Sequence, residues 1–368
     1  MNDSTTKSDL TWATDNTHIL DIEEVTSPID IISHYPLDED TAKFIDTSRL
    51  IISNIINLKD DRLLVITGPC SIHNTEEALQ IAEDIKELQA KNPHLYIVMR
   101  TYFEKPRTTV GWKGLLNDPD LDGSCDIEKW LKIWRELLLK INQMWVPTAV
   151  EFLDTISPQY IADLVHWGAI GARTTESQEH RKLVSGLSMP VGFKNGTKWN
   201  IDIAIDAIWA SKQSHKFLWA TKGWNIAQLT TAWNPDGHVI LRGGSKWPNY
   251  SKSHINPVID ALRDTWIESG IIIDFSHANS GKKHENQTLV CTEVAKQIRE
   301  WNKNIVWVMI ESNISEGAQK HTPWKHDPKD IKPWISITDA CVSLETNKKM
   351  LNELQTATFI RNWKNSET

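Results

Sequence analysis

Short apolar runs recur along the chain, and each one leads into polar or charged side chains. The eight runs are Leu63–Ile66, Val98–Met99, Ala149–Val150, Ala169–Ala172, Pro190–Phe193, Val239–Leu241, Ile271–Ile273 and Val308–Ile310. Runs of this length are typical of buried strands. Segments with apolar residues at helical spacing lie between them, at 75–88, 127–144, 157–166, 201–212, 256–269 and 286–300. Strands that alternate with helices predict a parallel sheet.

Eight such units close into a barrel more readily than they form an open sheet, so we predict an α/β fold, a (β/α)8 TIM barrel, over residues 63–368. A helical extension is expected over 19–62, with a role in regulation or subunit contact, and a polar, disordered tail over 1–18. Residues from about 213 to 237 fit no barrel element and predict an inserted β-hairpin. We expect the last helical segment to open at Ser336–Cys341.

Composition excludes several classes of protein. The chain has 368 residues, 40 Lys and Arg against 48 Asp and Glu, and a net charge of −8. This balance argues against a partner that is nucleic acid or a membrane surface. No apolar run is long enough to span a membrane, and the first residues are polar. The four cysteines form no C-x-x-C pair, which favours a reducing, cytoplasmic location.

Tryptophan is unusually frequent, with 18 residues against only 16 glycines. Several tryptophans stand where a turn or tight strand packing would favour glycine: Trp145, Trp199, Trp224, Trp247 and Trp307. We therefore hypothesise that many were read from a codon that the source organism translates as glycine. Retaining only Trp12, Trp112, Trp167 and Trp363 would restore an ordinary glycine content. A protein that is truly rich in tryptophan is the alternative.

Basic side chains stand at or just beyond the ends of several predicted strands. They are Arg100, Lys105, Arg107, Arg173, Lys194 and Arg242. In a barrel these strand ends meet at one face, where active sites of this fold lie. Six cations on one face would repel one another unless anions occupied it, so the pattern predicts a pocket for phosphate and carboxylate groups. Six separate surface ion pairs are the alternative.

Possible metal ligands also flank strand ends or helix starts, namely Cys70, His277, Glu311 and Asp339. A thiolate, an imidazole and two carboxylates suit Mn²⁺, Fe²⁺, Co²⁺ or Zn²⁺ better than Mg²⁺. Because the four are distant in sequence, two interpretations stay open: a shared metal, or a buried cysteine and a hydrogen-bonded histidine without one. Glu151 could orient the basic groups, and Asp274 could orient His277.

Seven segments together resemble one enzyme family. They are Gly68–His73, Arg100–Thr109, Gly171–Ser177, Gly192–Thr197, Leu241–Gly244, Asp274–Asn279 and Ser336–Cys341. They are similar to the microbial, feedback-regulated type I 3-deoxy-D-arabino-heptulosonate 7-phosphate (DAHP) synthases, and the resemblance covers about Pro36 to Leu354. It implies a transferase that condenses phosphoenolpyruvate with erythrose 4-phosphate and water, releasing phosphate. This reaction is the first step of the shikimate pathway to chorismate and the aromatic amino acids.

The resemblance also implies roles for individual residues. Cys70, His277, Glu311 and Asp339 would bind the divalent metal ion, and Glu151 would line the site. Phosphoenolpyruvate would be held by Arg100, Lys105, Arg173, Lys194 and Arg242, and the sugar phosphate by Arg107 and Thr108. Lys105 is expected to protonate the new hydroxyl group or to act through a metal-bound water. Trp307, four residues before Glu311, is expected to disturb that strand by overpacking.

Two alternatives and one regulatory expectation complete the prediction. A sister reaction uses arabinose 5-phosphate, but the segment Lys105–Thr109 and the N-terminal extension favour the four-carbon sugar. A catalytically inactive barrel that senses sugar phosphates is the other alternative. The class implies feedback inhibition by an aromatic amino acid, with the extension and the loop Ser185–Ser188 as candidate contacts. A homodimer or homotetramer is expected.

Overall fold

Eleven strands and ten helices make up the described part of the computed structural model, which comprises residues 16–106, 112–115, 117–245, 247–300 and 302–366. The strands are β1 (Leu63–Gly68), β2 (Leu95–Arg100), β3 (Thr148–Glu151), β4 (Trp167–Ile170), β5 (Val191–Lys194), β6 (Lys216–Ala220), β7 (Ile226–Thr230), β8 (Gly237–Leu241), β9 (Ile271–Asp274), β10 (Ile305–Asn313) and β11 (Val342–Ser343). The helices are α1 (Pro28–His34), α2 (Glu39–Ile56), α3 (Thr75–Lys91), α4 (Ile127–Gln143), α5 (Pro158–Ile161), α6 (Gln178–Gly186), α7 (Asp202–Ser211), α8 (Lys252–Asp264), α9 (Gln287–Arg299) and α10 (Leu344–Ser366).

Eight parallel strands form a closed barrel. They follow the order β1-β2-β3-β4-β5-β8-β9-β10, and β10 pairs again with β1. β6 and β7 pair only with each other, as an antiparallel hairpin between α7 and β8. The predicted TIM barrel with an inserted hairpin is therefore confirmed. The short β11 extends β10 at its carboxyl end.

The strands alternate between two apolar environments, as the period of a strand requires. On β1, Leu63 and Val65 pack in the large cluster shared with the helices, whereas Leu64 and Ile66 belong to a second cluster inside the barrel. All residues of β1 are buried. Burial on both faces explains why the strands read as continuous apolar runs rather than as alternating ones.

Helix α2 closes the amino end of the barrel. Its residues Ile52, Ile55 and Ile56 belong to the interior cluster, and the carbonyl of Ile56 accepts a hydrogen bond from the amide of Gly270, just before β9. Arg49 donates to the carbonyl of Val165, just before β4. The extension thus covers one end of the barrel and leaves the carboxyl ends of the strands open.

The observed ends of some helices agree with those predicted from the sequence, and others differ. Asn74 caps α3 as expected, because its side chain accepts hydrogen bonds from the amides of Glu76 and Glu77. The sequence misplaced the start of α8, which begins at Lys252 and carries Pro257 inside it, on the exposed side. Ser336–Cys341 is not helical, since its ends pair with Ala318 and Gly317, and α10 begins only at Leu344.

Trp307 lies inside the barrel, where its buried indole N–H has no hydrogen-bond partner among the described residues, and the overpacking expected from the sequence stays a prediction. Its ring lies 4.8 Å from that of Trp167 and stacks on His238. The pairing of β10 with β9 shifts register between Ile305 and Trp307. Glu311 nevertheless pairs opposite Gly68, so the strand end keeps its place.

None of the helices in the described residues is long and apolar enough to cross a membrane. The four cysteines are unbridged. The limits of the predicted tail and extension stay predictions, and residues 1–15 of that tail lie outside the described residues.

Candidate active site

The carboxyl ends of the barrel strands surround one cavity of about 360 Å³. Five of the six predicted cations line it: Arg100, Lys105, Arg173, Lys194 and Arg242. Glu151, His277, Glu311 and Asp339 line the same cavity. Arg107 and Thr108 lie outside the described residues. The parallel strands therefore bring together side chains that are up to 239 residues apart in sequence, from Arg100 to Asp339.

Arg100 is fully buried and held from several sides. Its guanidinium donates to the carbonyls of Pro69 and Cys70, lies 2.9 Å from Glu311 Oε1 and stacks 3.6 Å from the centre of the Tyr102 ring. Burial alone would lower its pKa, but the charge of Glu311 and the other acidic neighbours raises it. Arg100 is a fixed positive charge at the base of the cavity.

Lys105 joins two of the predicted metal ligands. Its Nζ lies 2.8 Å from Cys70 Sγ and 2.7 Å from Asp339 Oδ2. Burial would lower the pKa of the amine, but Cys70, Glu311 and Asp339 outweigh burial and raise it. The ammonium form is therefore retained at neutral pH, which leaves Lys105 with a proton to donate.

Glu151, at the end of β3, and Lys194, at the end of β5, form a buried ion pair that lines the cavity. Lys194 Nζ lies 2.9 Å from Glu151 Oε2. Burial raises the pKa of Glu151. The charge and hydrogen bond of Lys194, with the other nearby cations, lower it by a larger amount, so that the pKa lies below its ordinary value. The carboxylate thus stays ionised and fixes the lysine, the orienting contact suggested from sequence.

Three of the four predicted metal ligands come together. One ligand atom from each of Cys70, Glu311 and Asp339 lies within 4.8 Å of the others. His277 lies beside them, with Nε2 4.0 Å from Glu311 Oε1. Although Arg100 is close, Glu311 Oε1 is buried and accepts no well-directed hydrogen bond within the described part of the chain. An oxygen in this condition, next to a thiol and a second carboxylate, fits a divalent cation.

His277 is oriented from behind by its own strand. It follows β9 with φ of 56°, and its Nδ1 lies 2.8 Å from Asp274 Oδ2 and 2.7 Å from Ser276 Oγ. Asp274 is fully buried; burial raises its pKa, but the nearby imidazole more than reverses this and leaves the carboxylate ionised. Contacts at Nδ1 leave Nε2 directed at Glu311, as in histidines that bind metals.

Sequence reasoning missed Gln287, the first residue of α9. Its side-chain amide donates to the carbonyl of Glu311 and accepts from the amide of Glu311, both at 3.0 Å. Gln287 is fully buried. β9 ends opposite Met309, so the side chain of Gln287 takes the place of a neighbouring strand in bonding the backbone N–H and C=O of Glu311. A glutamine at a helix start carries no sequence signal for such a contact.

Glu104 is a second residue that the sequence did not single out. It lines the cavity next to Lys105. Burial first, and then the charges of Asp154 and Glu151, raise its pKa to about 8. This direction favours the protonated form of Glu104, which can donate a hydrogen bond, whereas the lowered pKa of Glu151 favours its ionised form.

Proteins similar to this chain are known over nearly its whole length. The DAHP synthetase I family matches residues 35–352. The Tyr-sensitive phospho-2-dehydro-3-deoxyheptonate aldolase of Escherichia coli K12 is 47% identical over 343 residues, covering 93% of this chain and 95% of that one. The Phe-sensitive enzyme of the same strain is 46% identical, covering 96% and 99%.

A solved structure shows the same architecture. The phospho-2-dehydro-3-deoxyheptonate aldolase of Francisella tularensis SCHU S4 superposes with a TM-score of 0.90 at 44% identity, covering 93% of this chain and 99% of that one. This chain belongs to the DAHP synthetase I family. The family resemblance, the barrel and the enzyme class predicted from sequence are confirmed.

Proposed function

We propose that the protein condenses phosphoenolpyruvate with erythrose 4-phosphate and water to give DAHP and inorganic phosphate. The observation that carries this proposal is the cavity itself, where buried cations surround a cysteine, two carboxylates and a histidine. Two anionic substrates need that excess of positive charge, since each brings a phosphate group. Curated relatives named for this activity cover nearly the whole chain.

The substrate contacts follow from the resemblance and from position. Phosphoenolpyruvate is held by the five cations of the cavity: Arg100, Lys105, Arg173, Lys194 and Arg242. Arg107 and Thr108 bind the phosphate of the sugar. C3 of the enol phosphate attacks the aldehyde carbon, water adds at C2, and the C2–O bond to phosphate breaks. Lys105 donates its proton to the oxygen of the former aldehyde, and the fixed cations stabilise the charge that develops.

The ligands of the divalent metal ion are Cys70, His277, Glu311 and Asp339. The mixture of sulfur, nitrogen and oxygen donors favours Mn²⁺, Fe²⁺, Co²⁺ or Zn²⁺. When bound, the ion supplies Lewis-acid polarisation of the aldehyde. The unbridged cysteines suit a reducing cytoplasm, where Cys70 would remain available as a thiolate donor.

Phosphate release from phosphoenolpyruvate tests the activity. We expect release that requires erythrose 4-phosphate, stops after EDTA treatment and returns with Mn²⁺. Arabinose 5-phosphate should not replace the four-carbon sugar.

Lys105→Met should lower kcat at least ~100-fold because the proton donor is lost. Normal turnover in that variant would refute the role of Lys105, and bound phosphoenolpyruvate without release would favour a sensor.

Gln287 provides a sharper test of the metal site. Gln287→Leu should weaken Mn²⁺ binding about tenfold or more, because Glu311 loses both contacts that fix its backbone. Titration calorimetry with Mn²⁺ measures this without turnover. Gln297→Leu is the matched control, since Gln297 lies on the same helix, is buried and donates to the carbonyl of Tyr250 instead. Equal loss in both variants would show only a general effect on α9.

A second cavity suits an aromatic amino acid effector. It measures about 460 Å³ and lies between α2, the hairpin and the loop that contains Leu187 and Ser188. Its wall combines aromatic and aliphatic side chains with charges of both signs, including Phe217, Leu229, Asp46 and Arg49. Such a wall can hold a ring together with an ammonium and a carboxylate group. We place the effector there because the relatives are named Tyr-, Phe- and Trp-sensitive.

Inhibition assays with phenylalanine, tyrosine and tryptophan test this second site. At least one of the three should inhibit, and Ser188→Phe should raise its inhibitory concentration about tenfold or more by filling the cavity, while kcat is retained. Ser253→Phe on the exposed side of α8 is the control. If Ser188→Phe is inhibited at the same concentration as the parent, the effector binds elsewhere.

The N-terminal segment is proposed to bind a second copy of the chain. Ile19, Leu20 and Ile22 precede α1 and are exposed, as are Leu218 and Ile226 on the hairpin. Exposed apolar side chains in this number favour a covered interface.

Sedimentation should find a dimer or tetramer. The double variant Leu20→Asp with Ile22→Asp should shift the oligomeric state toward the monomer. A monomeric parent chain would refute the proposal.

A further inference from the structure

Six tryptophans have a backbone conformation that favours glycine. Their φ angles lie between 56° and 78°, and they are Trp145, Trp199, Trp224, Trp266, Trp324 and Trp334. Within the described residues, twelve positions other than glycine have positive φ, and these six make up half of them. Bulky L-residues rarely adopt this region because Cβ crowds the following carbonyl. No propensity of tryptophan explains such a concentration.

Two of the six occupy the residue that ends a helix in the Schellman motif. After α4, the amide of Trp145 bonds to the carbonyl of Asn142 and the amide of Val146 to that of Ile141. After α8, the amide of Trp266 bonds to the carbonyl of Arg263 and that of Ile267 to Leu262. This pair of bonds requires a left-handed residue at the position that tryptophan fills, and glycine is the usual occupant.

Burial of the side chain does not offset the strain at several of these sites. Trp266 is 84% exposed and Trp324 63% exposed, and Trp145 and Trp199 also face solvent. Trp112 and Trp167 differ from these exposed tryptophans, although half-buried Trp224 also donates its indole N–H, to the carbonyl of Val25. Trp167 lies in β4 and has no positive φ. Trp112 and Trp167 are both buried, and their indole N–H groups donate to the carbonyl of Asp118 and to His238 Nε2. Such contacts are typical of native buried tryptophan.

We infer that glycine is the native residue at the six left-handed positions, because the source organism translates as glycine a codon written here as tryptophan. The backbone at these positions supports this inference independently of the amino-acid composition. It is also independent of the proposed activity, since none of the six lines the cavity at the strand ends.

Peptide mass spectrometry of the protein from its native source tests the inference directly. We expect glycine at all six positions and tryptophan at 112 and 167. Tryptophan at the six positions would overturn the inference.

Thermal unfolding of recombinant chains provides the second test. Replacing all six residues by glycine should raise Tm by more than about 5 °C, because each change removes left-handed strain. Trp112→Gly is the control, since Trp112 is buried and donates its indole N–H to the carbonyl of Asp118, so the change should leave a cavity and lower Tm. Trp167→Gly should also lower Tm. A sixfold variant that melts at or below the parent would contradict the conformational argument.

Discussion

Pairing of β1 with β10 is the constraint on which the site depends. It closes the barrel and sets Gly68 opposite Glu311, so that Cys70, two residues on, lies near that carboxylate. Gly68 has φ of 144°, and a Cβ there would lie 3.0 Å from the carbonyl oxygen of Arg100. A side chain at this position would force β1 away from β2. The close approach of β1 to β2, and with it the position of Cys70, is therefore eased by a glycine at this residue.

The charges around the cavity are stable there because they are matched in pairs. Arg100 lies against Glu311, Lys194 against Glu151, and Lys105 against Asp339. Arg100, Glu311, Lys194 and Glu151 are buried, and burying any one of these four without its partner would be costly, whereas Asp339 is largely exposed. The pairs also hold the side chains in place before substrate arrives, so that little reorganisation is needed as charge develops. Stability of the fold and preparation for catalysis have the same electrostatic origin here.

The opposite end of the barrel shows how the apolar core supports this arrangement. α2 contributes Ile52, Ile55 and Ile56 to the interior cluster, and the buried pair of Trp167 and His238 is joined by a hydrogen bond of 3.0 Å. This end is closed by packing, whereas the carboxyl end is lined by charge. Within the described residues, the cavity at the carboxyl ends of the strands lies at the end where active sites of this fold are found.

The sequence by itself determined the barrel strands, the cations at their ends and the family, because buried parallel strands are continuous apolar runs and because the motifs are long. It could not show that Gln287 holds Glu311 or that burial raises the pKa of Glu104. It also misjudged Ser336–Cys341, whose backbone pairs with a distant loop. Those features depend on contacts between residues far apart in the chain. Only the tertiary structure decided them, since burial and proximity of charges do not exist until the barrel closes.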